Sequence, residues 1–181
     1  MIYTLFYFYL NYMAITITRS KLSFPVTGTP PQKRLTSCGQ EVKKYKTLLQ
    51  AIASDLGLNE NESMELAEYV CLIGERNFAD QKENFSLKTW LAKILVHNCI
   101  FKICSTLFSQ NANIIDPYQI TNNYLIESPL SKIPISFRTV YILIHSVGFT
   151  EPEVTQILNI NTIQVRERLA KAMTIIKSQR F

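Results

Sequence analysis

FTEPEVTQILNINTIQVRERLAKAMTIIK, residues 149–177, decides how the rest of this chain reads. Thr150 with Glu153 has the spacing of a capping box, and Asn161 with Gln164 repeats it. Each pair marks a helix N-terminus, and only a short helix, about residues 151–159, fits between the two. Before them, Ile133-Pro134 opens an apolar helix over 135–147 that Gly148 ends. Two capped helices joined by a tight turn, the second cationic, have the pattern of a helix-turn-helix. In that motif the second helix enters the DNA major groove.

On that second helix, expected over 162–179, Val165, Leu169, Ala172, Met173 and Ile176 share one face at helical spacing and form the packed side. The other side carries Gln164, Glu167, Lys171 and Thr174, with Arg166 and Arg168 on its flanks. These residue types suit a groove. Arg and Lys neutralise phosphate or donate to guanine, Gln pairs with adenine, and Glu accepts from the cytosine amino group. About three phosphate contacts would give a salt slope of about −2.7, so tight binding needs a dimer, a basic arm or a larger assembly.

Working outward, residues 109–129 (SQNANIIDPYQITNNYLIESP) read as a linker, rich in Asn with Pro117 and Pro129. Upstream of it lie three helical segments. The first begins near Val42, repeats Tyr45, Leu48, Leu49, Ile52, Ala53 and Leu56 at three- and four-residue spacing, and stops at Gly57. The second starts at Asn61 or Ser63, with Met64, Ala67, Val70 and Cys71 as its apolar stripe and Glu62, Glu65, Glu68 and Glu75 around it. The third runs from Ser86, its expected N-cap, to Phe108 and is apolar nearly all round, which marks it as the centre of a bundle. The fold expected is all-α. It comprises an irregular basic arm over 1–44, a helical bundle over 45–108, the linker, and a helix-turn-helix domain over 130–181.

Charge follows the same division. The +5 net charge of this 181-residue chain is unevenly spread. Residues 19–46 hold Arg19, Lys21, Lys33, Arg34, Lys43, Lys44 and Lys46 against Glu41 alone, the middle of the chain is acidic, and the last helix is basic again. Such a chain touches nucleic acid at one place and something else at another. Cys38, Cys71, Cys99 and Cys104 have no paired spacing, and His97 and His145 are the only histidines, so no metal site is expected. The apolar settings of Cys71, Cys99 and Cys104 fit buried thiols in a reducing cytoplasm. No phosphate-binding glycine loop and no nucleophile–base pair stands out, so neither an enzyme nor a cofactor or small-molecule substrate is expected. The opening MIYTLFYFYLNYMAITIT lacks the basic start and cleavage pattern of a signal peptide and is marginal as a membrane span. Met13 is an alternative start.

The residues also resemble a known family. Leu130, Ile133-Pro134, Arg138, Val140, Leu143, Gly148-Phe149-Thr150, Glu153-Val154, Ile157-Leu158, Thr162, Val165-Arg166, Arg168-Leu169 and Lys171-Ala172 look like the promoter-reading region 4 of bacterial sigma factors, nearest the two-domain extracytoplasmic-function group. Glu65-Leu66-Ala67-Glu68-Tyr69-Val70-Cys71-Leu72 and Thr89-Trp90-Leu91, Ile94 and Asn98 resemble their region 2. The resemblance covers about residues 45–181. It implies a protein without cofactor that binds core RNA polymerase through Glu65, Leu66, Glu68 and Leu72. It further implies that Thr162, Gln164, Arg166, Glu167, Arg168 and Lys171 read double-stranded promoter DNA. An inhibitory anti-sigma protein is a further partner the family implies.

The chain departs from the family at three places. Cys99 to Ser105 is nearly apolar where the family carries an Asp and Arg residues that hold single-stranded DNA; Phe101 is expected in the core there, and would stack on a base if exposed. Cys71 and Glu68 replace a common Phe and Gln, and Gly74 stands at an apolar position inside a helix, where it costs about 1 kcal/mol relative to Ala. Two other readings fit the C-terminal motif. One is a dimeric regulator that binds a palindromic operator without polymerase. The other is an interaction protein that keeps the fold and has lost DNA binding.

Overall fold

In the computed structural model, residues 40–77, 86–110 and 129–179 are described. All of them belong to one compact unit, Leu35–Phe181. Among the described residues every regular element is helical. The elements are α1 (Lys46–Leu56), α2 (Glu60–Asn77), α3 (Leu87–Gln110), a 3-10 turn (Pro129–Lys132), α4 (Ile135–Tyr141) with a π turn after it (Ile142–Ser146), α5 (Glu151–Leu158) and α6 (Thr162–Ser178). The described residues are all-α, as the sequence indicated. Most of the basic arm, including Met13 and Cys38, and most of the expected linker lie outside the described residues.

A helical turn at 40–43 leads into α1, and Val42 within it is fully buried. Leu49, Ile52, Ala53 and Leu56 give α1 its buried stripe, and Gly57 ends the helix at φ 115°, a left-handed conformation in which a side chain would clash with the backbone. The start of α2 corrects the sequence reading. Its cap is Asn59, whose Oδ1 accepts from the Glu62 N–H at 2.9 Å while Glu62 reaches back to the Asn59 N–H at 3.3 Å. Ser63 lies inside the helix instead, buried, its hydroxyl donating to the Leu58 carbonyl and meeting the Ser54 hydroxyl at 3.0 Å. The expected Ser86 cap is present, its Oγ accepting from the Thr89 N–H at 3.1 Å.

Helix α3 is the axis of the unit. Leu91, Leu95, Val96 and Cys99 are fully buried, and α1 and α2 pack on one side of it while α5 packs on another. That explains its apolar surface all round: burying a Leu or Val is favourable by about 1.5–3 kcal/mol only where a neighbour covers it. Residues from both halves of the chain, from Val42 to Val165, therefore share one hydrophobic core. Gly74 on α2 also finds its reason here. A Cβ at that position would meet Leu91 Cδ2 at 2.7 Å and Val42 Cγ1 at 3.2 Å, so the missing side chain permits close approach of α2 to α3 and the N-terminal turn. Cys71, Cys99 and Cys104 are buried free thiols, as expected, and burial pushes Cys99 up to about 12 and Cys104 up to about 11.

Side chains of α3 hold α5 and Phe149, just before its cap. Thr89 Oγ1 donates to Glu153 Oε1 at 3.3 Å, the Lys88 ammonium sits 4.3 Å from the Phe149 ring centroid, and His97 Nε2 meets the Ile157 carbonyl at 2.9 Å. The helix before α5 ends in a way periodicity does not foresee. Its last turn is a π turn, with Val147 N–H bonded to the Ile142 carbonyl, and Gly148 at φ 77° lets Phe149 N–H return to the Leu143 carbonyl at 2.9 Å. Arg138 on α4 is fully buried; its Nη1 donates to the Leu130 carbonyl at 3.4 Å, while Nε and Nη2 have no hydrogen-bond partner among the described residues. Burial pulls its guanidinium down to about 10.

Candidate nucleic-acid interface

Both capping boxes foreseen in residues 149–177 are formed. Thr150 Oγ1 accepts from the Glu153 N–H, and the Glu153 carboxylate accepts from the Thr150 N–H at 2.8 Å. Asn161 Oδ1 accepts from the Gln164 N–H at 2.8 Å, and Gln164 Oε1 accepts from the Asn161 N–H at 3.1 Å. Between the two helices the chain turns at Asn159, which takes φ 52° and ψ 46°. Asparagine tolerates that left-handed backbone better than other residues with a Cβ. The caps therefore set where each helix starts, and Asn159 sets the angle between them.

Helix α6 lies on α4 and α5 with Val165 and Ala172 buried and Leu169, Met173 and Ile176 half-buried. Its expected site residues stay together on the remaining surface. Thr162, Gln164, Arg166, Glu167 and Lys171 are exposed and Arg168 is half-buried. Their partners redistribute their roles. Arg166 Nε donates to Glu151 Oε2 at 2.9 Å, joining α6 to the first turn of α5. Lys171 sits 5.4 Å from the centroid of the Phe137 ring on α4. Gln164 holds its amide oxygen in the cap, so a two-point pairing with adenine, which uses both amide atoms, needs the cap to open.

Met64, expected in the apolar stripe of α2, is 42% exposed, and a second exposed residue escaped the reading of the sequence. Ile163 is 68% exposed in the first turn of α6. Its signal was present: it falls outside the 165, 169, 172, 176 stripe and has no reason of packing to be apolar.

A second exposed face lies on α2. Glu65, Glu68 and Leu72 point outward with Tyr69 between them, Leu72 being 51% and Tyr69 44% exposed. Glu68 pairs with Lys46. Leu66 differs from the other residues expected there; it is half-buried and packs on the core.

No family model matches this sequence, and no curated protein matches it either. Solved structures do. The sigma factor RpoE from Bartonella quintana, determined in complex with the anti-sigma factor NepR, aligns with a TM-score of 0.60 at 17% identity, over 77% of this chain and 93% of that one. The fold is that of a sigma factor. CnrH, determined in complex with the cytosolic domain of CnrY, aligns with a TM-score of 0.61 at 17% identity, over 82% of this chain and 88% of that one.

Within this sigma-factor fold the apolar stretch after Asn98 is not wholly internal. Cys99, Ile103 and Cys104 are buried, but Phe101 is 56% exposed, which corrects its expected place in the core. Helix geometry explains the difference, since the side of α3 that carries Phe101 and Ser105 is covered by no other described helix. Asn98 turns back on its own helix, its Nδ2 donating to the Ile94 carbonyl at 2.8 Å. Lys102, next to Phe101, bridges to Glu62 of α2 at 3.0 Å. Among the described residues no cluster of His, Cys, Asp or Glu could hold a metal ion, and no helix is long and apolar enough to cross a membrane.

Proposed function

We propose that this chain is a transcription initiation protein of the sigma-factor kind, which binds core RNA polymerase and directs it to promoter DNA. One observation carries the reading. A fold shared with RpoE leaves two chemically different faces exposed together, the acidic and apolar face of α2 and the capped cationic helix α6. In this reading residues 45–108 form the polymerase-binding half, with Glu65, Glu68 and Leu72 as contacts and Leu66 supporting them from below. Residues 130–181 form the promoter-reading half. There α5 and α6 act as a helix-turn-helix, with Thr162, Gln164, Arg166, Glu167, Arg168 and Lys171 on the DNA side.

The exposed Phe101 adds to the reading, because an aromatic side chain on that side of α3 offers a stacking platform for an unpaired base, worth about 1–3 kcal/mol. RpoE and CnrH were both captured with protein partners, NepR and the cytosolic domain of CnrY. We therefore include a protein inhibitor among the partners of this chain, and place its work in the cytoplasm. Run-off transcription with core polymerase and a library of upstream regions tests the proposal: promoter-dependent transcripts are expected only when the chain is added. A stable dimer protecting a two-fold site without polymerase would replace this reading with that of an operator-binding regulator.

A further inference from the structure

The side of α6 turned furthest from its packed stripe is not its cationic side. Opposite Val165 and Ala172 lie Ile163, Glu167, Ala170 and Thr174, all exposed. Thr174 turns its hydroxyl inward, donating to the Ala170 carbonyl at 2.9 Å, so what it presents outward is its methyl group. Along this line Glu167 is the sole charge, and it is negative. Phosphate oxygens need donors and positive charge, and this line offers neither. The pyrimidine edge in the major groove is different: thymine presents a C5-methyl group there and cytosine an amino donor. An apolar side chain one helical turn from a carboxylate matches those two groups.

We propose that Ile163 reads the C5-methyl group of a thymine in the major groove. The assignment rests on the DNA-reading function proposed above and adds a specificity-determining residue to it. Three features place Ile163 there. It stands in the first turn of the helix, the part that meets base edges when a helix of this kind docks. It is 68% exposed, so no packing role accounts for a branched apolar side chain at that position. Its neighbour Gln164 is held by the Asn161 cap and Arg166 by Glu151, which fixes the backbone and leaves Ile163 at the front of the turn. The cations then flank the reading line, where the groove walls carry phosphate.

The test uses the full chain with core polymerase and a duplex selected by it from a randomised upstream library. Each thymine of the selected element is replaced in turn by deoxyuridine, which removes only the methyl group. For the wild-type chain, one replacement should weaken binding about fourfold, the value of one buried methyl-sized group. The Ile163→Ala chain should bind the thymine duplex about fourfold more weakly and show no further loss with deoxyuridine at that position. Ile163 lies outside the hydrophobic core, so this variant keeps its fold, which circular dichroism checks. Equal sensitivity of wild type and Ile163→Ala to deoxyuridine, or insensitivity of the wild type at every thymine, overturns the assignment while leaving DNA reading intact. Selection of no duplex at all overturns the DNA-reading function and this assignment with it.

Discussion

His97 on α3 bonds the carbonyl of Ile157 on α5 across 2.9 Å, joining residues 60 apart in the chain. The carbonyl belongs to the last turn of α5, where helical geometry leaves oxygens without an intrahelical donor. A carbonyl accepts only, so the ring nitrogen facing it carries the proton. This bond ties α5 to α3, the central helix of the fold.

It also makes the packing of α5 on α3 pH-dependent. Burial lowers the His97 pKa below 6.5, Lys93 adds to the effect, and the Ile157 carbonyl opposes it only in part. Between its folded and unfolded pKa values the ring is therefore neutral in the folded chain and protonated in the unfolded one. Stability from this site is complete above the unfolded value and is lost as pH falls below it. Urea midpoints at about pH 7.5 and about pH 5.5 should differ, and His97→Gln, which keeps a donor without a titration, should shrink the difference. Glu153 acts at lower pH. Burial raises its pKa, but the Thr150 N–H and hydroxyl, the Thr89 hydroxyl and Lys88 together hold the carboxyl below its ordinary range. Its contribution is present above the unfolded carboxylate pKa and fades as pH falls through the folded one.

Gly74→Ala sets two effects against each other. Helix propensity favours Ala by about 1 kcal/mol, whereas overpacking a filled core costs about 1–3 kcal/mol. Leu91 and Val42, the side chains a new Cβ would strike, are both fully buried, so either yields only by shifting within the core. The variant should be less stable by about 1 kcal/mol, read from denaturant unfolding, and Gly74→Val should lose more. An increase in stability for Gly74→Ala would mean that α2 and α3 approach less closely than described.

Arg138→Met should leave the melting temperature unchanged or raise it. The buried guanidinium has a single long hydrogen bond, to the Leu130 carbonyl, and Met has a similar length without the charge. Replacing poorly paired buried charge by apolar volume is commonly neutral or stabilising by about 1–4 kcal/mol. Arg138→Ala, which leaves a cavity, should melt lower. A large loss with Met would identify a partner for Nε or Nη2 beyond the described residues.

Arg168→Ala combined with Lys171→Ala should abolish recognition of the upstream element and leave polymerase binding intact. If both cations meet phosphates, the slope of log affinity against log salt falls by about 1.8. Footprinting and pull-down read the two functions separately. Parallel loss in both assays would argue against separate roles for the two halves.

Asn161→Ala removes the acceptor for the Gln164 N–H and releases Gln164 from its reciprocal bond. Stability should drop by about 1 kcal/mol. The freed amide should at the same time alter sequence preference in a duplex-selection assay. Unchanged preference would show that Gln164 does not reach a base.

The local features of the C-terminal segment were legible because they are short-range. A cap is a bond between residues three apart, and an apolar stripe is a period, so Thr150–Glu153, Asn161–Gln164 and the Val165–Ile176 face could be read directly from residue order. Asn59 was missed for a related reason: Asn59, Asn61 and Ser63 are all competent caps, and spacing alone does not choose among them. Leu66 and Phe101 depend on what covers them, and cover comes from other helices.

Residue order by itself determined that the chain is helical, where its helices begin near the capping boxes, and that α3 must be covered on several sides. Tertiary structure decided what covers it. The sequence placed the first bundle and the C-terminal helices on opposite sides of a linker, and nothing local announces that α5 would lie against α3. The same holds for Gly74, legible as a helix-weakening oddity and explained only by Leu91 and Val42 arriving from elsewhere. Periodicity and capping are properties of neighbours along the chain, whereas close approach and exposure arise from segments that meet only after the chain has folded.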